Sequence, residues 1–134
     1  MSSEEMYQEL ILDYYRNPKN NGKLERPDIT ARDVNPLCGD EIEIHLSLSD
    51  GKISDIKFNG KGCIISQASA SIITERVKGL DITRASSIDK NEVLQLIGIP
   101  ISAARLKCAL LSLKVLKTGL YRHLGASITE TDWQ

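Results

Sequence analysis

A chain of 134 residues, 41% hydrophobic and 26% charged, fits one globular domain spanning residues 1–134 and calls for no second one. Its 17 lysines and arginines against 18 acids give no reason to expect nucleic acid or an anionic membrane as a partner. The acidic start, Met-Ser-Ser-Glu-Glu, has no apolar secretory core, and no apolar run is long enough to span a bilayer, so the expected compartment is the cytoplasm. There, three cysteines far apart in the chain are expected as reduced thiols rather than a disulfide framework, which moves metal and sulfur chemistry forward.

Residues 2–16 predict an amphipathic helix, with Met6, Tyr7, Leu10, Ile11, Tyr14 and Tyr15 at helical spacing and Ser2 with Glu5 as a capping box. Asn17-Pro18 stops it, residues 19–27 read as a loop, and residues 28–34 as a short strand. The turn Asn35-Pro36-Leu37-Cys38-Gly39-Asp40 carries a thiol and a carboxylate two residues apart, with Asp40 expected on a loop able to swing. In residues 41–48, Ile42, Ile44, Leu46 and Leu48 alternate with Glu41, Glu43, His45 and Ser47, a strand with one buried face. Asp50-Gly51 turns the chain and residues 52–58 return as its hairpin partner, which brings the region of Cys38 and Asp40 toward Cys63.

The stretch from Gly60 to Ser71 takes that strand into a helix running to about Lys78, with Cys63 at the junction. Gly60 and Gly62 permit a tight turn, so the thiol can sit beside the free N–H groups of the helix, an environment that favours a thiolate. A small apolar cysteine filling a helix–sheet junction is the other reading. Asp89 with Glu92 opens a short helix through Ile97, ended by Gly98 and Pro100. The last helix, residues 102–124, carries a stripe of Leu106, Leu110, Leu113, Leu116, Leu120 and Leu124. A second stripe of Ala104, Cys108, Leu111 and Val115 lies nearly opposite, so either the helix is buried on two sides or Cys108 faces the other cysteines or a partner. Lys117 and Arg122 suit a helix C-terminus, whereas Arg105 and Lys107 oppose the dipole but would hold a thiolate or a negative cluster. His45 and His123 read as ordinary surface residues, and residues 125–134, with Trp133, as a flexible tail.

Cys38, Asp40, Cys63 and Cys108 make a four-ligand set from two turns and a helix, although the spacing matches no compact zinc finger. Asp13-Tyr14-Tyr15-Arg16-Asn17-Pro18, Asn35 to Asp40, Gly60 to Ser71 and Ala104-Arg105-Leu106-Lys107-Cys108 together resemble the motifs of the IscU/SufU/NifU N-terminal family of iron-sulfur scaffold proteins. The resemblance covers almost the whole chain. It implies an α+β fold of the IscU-like (SufE/NifU) kind, a small antiparallel β-sheet of about three strands packed against helices, with the three cysteines clustered at one end. It also implies a scaffold that accepts sulfur from a cysteine desulfurase, binds iron, assembles a [2Fe-2S] cluster and passes it to acceptor apoproteins, with a homodimer as one arrangement of the cluster-bound form.

By the same resemblance, Cys38, Asp40, Cys63 and Cys108 are the metal and cluster ligands, and Cys38, Cys63 and Cys108 the candidate persulfide acceptors. Two positions depart from the IscU branch. Lys107 stands where that branch has a histidine, and Ser102-Ala103-Ala104-Arg105 replaces its chaperone-docking segment, which argues against an Hsp70-type chaperone partner. Lys107-Cys108 resembles the SufU branch, yet the short segment 79–101 leaves no room for the insertion usual there. A zinc-bound sulfurtransferase acting for a desulfurase is thus the alternative to the scaffold, and a purely structural zinc module is a third reading.

Overall fold

The structure, a computed structural model, describes residues 3–37 and 39–125. In chain order the elements are α1 (Ser3–Arg16), β1 (Ile29–Asn35), β2 (Asp40–Ser49), β3 (Lys52–Lys61), α2 (Ile64–Val77), α3 (Ile82–Ser86), α4 (Lys90–Ile97) and α5 (Ala103–His123). The strands form one antiparallel sheet in the order β1-β2-β3. This is the expected α+β architecture. No helix among the described residues is long and apolar enough to cross a membrane.

The alternation in β2 does what its period requires. Ile42, Ile44 and Leu46 are at most 1% exposed and share a core with Ile53, Ile56 and Phe58 of β3, each such side chain contributing roughly 2 kcal/mol by leaving water. The two-residue turn Asp50-Gly51 has positive φ at both positions, 52° and 76°, whose twist matches that of the strands it joins. A bulge between Ser47 and Leu48 shifts the register near that turn, and beyond it Leu48 is only partly buried.

α2 and α5 cover the apolar face of the sheet, and α1 packs on α2. The small residues of α2 let α5 approach closely: the Ser69 hydroxyl donates to the Ala109 carbonyl at 2.6 Å and lies 3.3 Å from the Ser112 hydroxyl. Gly119 serves the same purpose against β1, where an added Cβ would meet Ile29 Cγ2 at 2.9 Å. α5 is buried on two sides, with Cys108, Leu111 and Val115 as enclosed as Leu110, Leu113, Leu116 and Leu120. Leu124, just past its end, is exposed, and so are Arg105 and Lys107.

Several expectations are corrected. β1 is one residue later than the expected 28–34, and α3, too short for a periodic signal, falls in a stretch to which the sequence assigns no element. Asp89 caps α4 by accepting from the Glu92 N–H at 3.0 Å, but the Glu92 carboxylate turns to Arg84 at 2.9 Å instead of closing the box. Lys117 is 4% exposed, with its ammonium 6.0 Å from the Tyr121 ring centroid, a cation–π placement rather than a solvated helix-end charge. His45 is not a surface residue either. The loop 17–28 folds over the polar face of the sheet, and the Leu24 N–H donates to His45 Nδ1 at 3.1 Å, so Nε2 carries the hydrogen that faces Glu43 Oε1 at 2.6 Å. The Ser2 cap and the tail 126–134 lie outside the described residues.

Candidate metal centre

The end of the molecule where β2 begins and β3 gives way to α2 gathers the groups that can do chemistry. Asp40 is the first residue of β2, paired with Asn35 at the end of β1, and is fully buried. The expectation is of a turn residue; here the ladder pair with Asn35 holds its backbone at the edge of β2. On the other side, Glu41 pairs with Lys61, which leaves Gly62 and Cys63 beside Asp40.

Cys63 caps α2. Its Sγ accepts from the Ser66 N–H at 3.4 Å, and its own N–H donates to Asp40 Oδ1 at 2.9 Å. The Ser66 hydroxyl lies 3.2 Å from the same Oδ1 and 3.1 Å from the Cys63 carbonyl. Gly62, at φ 148°, is required by both backbone and space, since a Cβ there would run into Asp40 Oδ1 and sit 2.7 Å from the Ser66 hydroxyl. Cys108 arrives from the second turn of α5, also fully buried, with the Asn35 side-chain amide donating toward its Sγ at 3.8 Å.

One ligand atom from each of Asp40, Cys63 and Cys108 lies within 4.8 Å of the others. Two thiolates on one tetrahedral zinc sit roughly 3.7 Å apart, given Zn–S bonds of about 2.3 Å, so closing on an ion takes a contraction of at most about an ångström. The decisive atom is Asp40 Oδ2, which is buried and has no hydrogen-bond partner among the described residues. A carboxylate oxygen left so is costly unless something binds it, and between two thiols the fitting partner is a thiophilic cation.

Of the expected set, the structure brings together Asp40, Cys63 and Cys108. Cys38 lies outside the described residues, within the loop joining β1 to β2. Asn35 and Ser66 stood inside the quoted motifs without a role; a serine three residues after a capping cysteine is the one signal that could have marked Ser66. His45 and His123 are not in the group.

Residues 6–129 match the model of the NifU-like N-terminal domain. The chain belongs to that family. Among relatives of this NifU-like chain, the zinc-dependent sulfurtransferase SufU of Bacillus subtilis is 37% identical over 91% of this chain and 94% of its own. The iron-sulfur cluster assembly scaffold protein IscU of Thermotoga maritima is 37% identical over 86% of this chain and 92% of its own. Among solved structures, one from Fervidobacterium islandicum AW-1, assigned as a scaffold for the SUF system, superposes with a TM-score of 0.74 at 30% identity, over 89% of this chain and 99% of that one. The family model spans nearly the whole described domain, so its α+β fold is a family feature.

Proposed function

We propose that this NifU-like chain is a scaffold on which an iron-sulfur cluster is assembled, with a cysteine desulfurase as sulfur donor and apoproteins as receivers. The observation that carries the reading is the convergence of Asp40, Cys63 and Cys108, with a buried Asp40 carboxylate oxygen that has no hydrogen-bond partner among the described residues. Cys38 is the fourth ligand in this reading, and the cluster, of the [2Fe-2S] type, is cargo rather than a resident cofactor. Sulfur arrives by thiolate attack on the outer sulfur of a persulfide on the donor. The new S–S bond forms on this chain while the donor cysteine departs as its thiolate. Cys108 is fully buried and suits a ligand role, whereas Cys63 is half-buried and is the better acceptor of the two. Val34, Leu37 and Ile64 are exposed apolar side chains flanking this end, which fits donors and receivers that are proteins.

A zinc-bound sulfur relay is the second reading, favoured by the Bacillus subtilis relative and by a three-thiolate, one-carboxylate set that zinc accepts readily. Anaerobic purification separates the two. Brown protein with iron and acid-labile sulfide, competent to load an apo-ferredoxin, supports the scaffold; colourless protein with one tightly held zinc and no cluster after reconstitution supports the relay.

A further inference from the structure

We infer that Ser66 is the positioning residue that makes Asp40 a one-oxygen ligand, an inference that rests on the metal-centre reading above. Oδ1 of Asp40 is occupied twice, by the Cys63 N–H at 2.9 Å and by the Ser66 hydroxyl at 3.2 Å, while Oδ2 has no partner among the described residues. The hydroxyl has one proton and two acceptors, Asp40 Oδ1 and the Cys63 carbonyl at 3.1 Å. An ionised carboxylate is the stronger acceptor, so the proton goes to Asp40 in the metal-binding form. Ser66 thereby touches two ligands at once, giving its backbone N–H to Cys63 Sγ and its hydroxyl to Asp40. Ser66 is itself fully buried. Gly62 keeps the space open in which Ser66 and Asp40 meet.

The consequence is chemical. With Oδ1 held back, only Oδ2 can reach a metal, which keeps the coordination number low and suits tetrahedral, thiolate-bound zinc or iron. Hard cations such as calcium draw on both oxygens of a carboxylate and are disfavoured. Outer partners of this kind typically change metal affinity by about 10–100-fold when removed.

The test uses the full chain and zinc alone as probe. Zinc affinity is measured without oxygen by competition with a chromophoric chelator for wild type, Ser66→Ala and Ser66→Thr. X-ray absorption at the zinc edge counts oxygen ligands, and circular dichroism of the zinc-free proteins checks the fold. Ser66→Ala is expected to bind about tenfold more weakly and to gain a second carboxylate oxygen at zinc. Ser66→Thr, which keeps a hydroxyl, should restore both to the wild-type range. Wild-type affinity and coordination in Ser66→Ala overturn the inference, as does an equal loss in Ser66→Thr with the fold intact. A wild-type chain that binds no zinc and no iron removes the metal-centre reading instead.

Discussion

The side-chain amide of Asn35, at the end of β1, donates toward Sγ of Cys108, on the second turn of α5, across 3.8 Å of buried space. Strand and helix are thereby tied at a proposed ligand, and a donor aimed at a sulfur would stabilise its thiolate form where water cannot. Asn35→Ala removes that donor. Zinc affinity should fall by about tenfold, read by chelator competition; affinity equal to wild type would show that the amide contributes packing alone.

Cys108→Ser should abolish stable zinc retention while the domain stays folded, because a hydroxyl nearly fills the volume of the thiol and the destabilisation is about 1 kcal/mol. Metal analysis and circular dichroism on the same sample check it. Lys107→Ala is the matched control: its side chain is exposed and an ammonium has no lone pair to offer, so the metal should stay. Loss of metal in Lys107→Ala would reveal an electrostatic role for the lysine.

Gly62→Ala places a methyl group against Asp40 Oδ1 and Ser66 Oγ at a φ of 148°, and is expected to cost about 1–3 kcal/mol in urea unfolding and to weaken zinc binding together. Gly39→Ala meets nothing within 4 Å and pays only for its φ of 71°, about 1 kcal/mol, with zinc binding retained. Equal zinc binding by both variants would count against the crowding at Gly62.

Asp33 on β1 accepts from Lys114 of α5 at 2.8 Å. Partial burial pushes its carboxyl upward, but the Lys114 hydrogen bond, the Val34 N–H and the charges of Lys114 and Arg32 outweigh that and hold it below the usual carboxylate range. A carboxyl lowered on folding stabilises the native state above its unfolded value, near 3.9, and the contribution is lost as pH falls through the lower folded value. Thermal melts of wild type and Asp33→Asn should therefore differ at pH 6 and converge as the pH falls through the lowered folded value. Since the pair is about one-third exposed, the gap at pH 6 should be small, and a constant gap across the range would show that the carboxylate charge is not its source.

Local periodicity was enough to read the strands, the Asp50-Gly51 turn and the long helices, because a half-buried strand must alternate and a capped helix must repeat near 3.6 residues. Cys63 at a helix start followed from its glycines, and the hairpin already carried Asp40 toward it. What the chain order could not state was which face of α5 looks where: its two apolar stripes are equally hydrophobic, and only the sheet on one side with α2 on the other explains why both are buried. Nor could it show that Asp40 begins a strand, since its place in a turn motif hides the ladder pair with Asn35 and the bond from the Cys63 N–H. His45 was misplaced for the same kind of reason, a distant loop closing over a polar face. The ligand types are thus written in the sequence, while their second partners, Asn35 to Cys108 and Ser66 to Asp40, exist only where separate elements meet, because a hydrogen bond between residues far apart in the chain has no local signature.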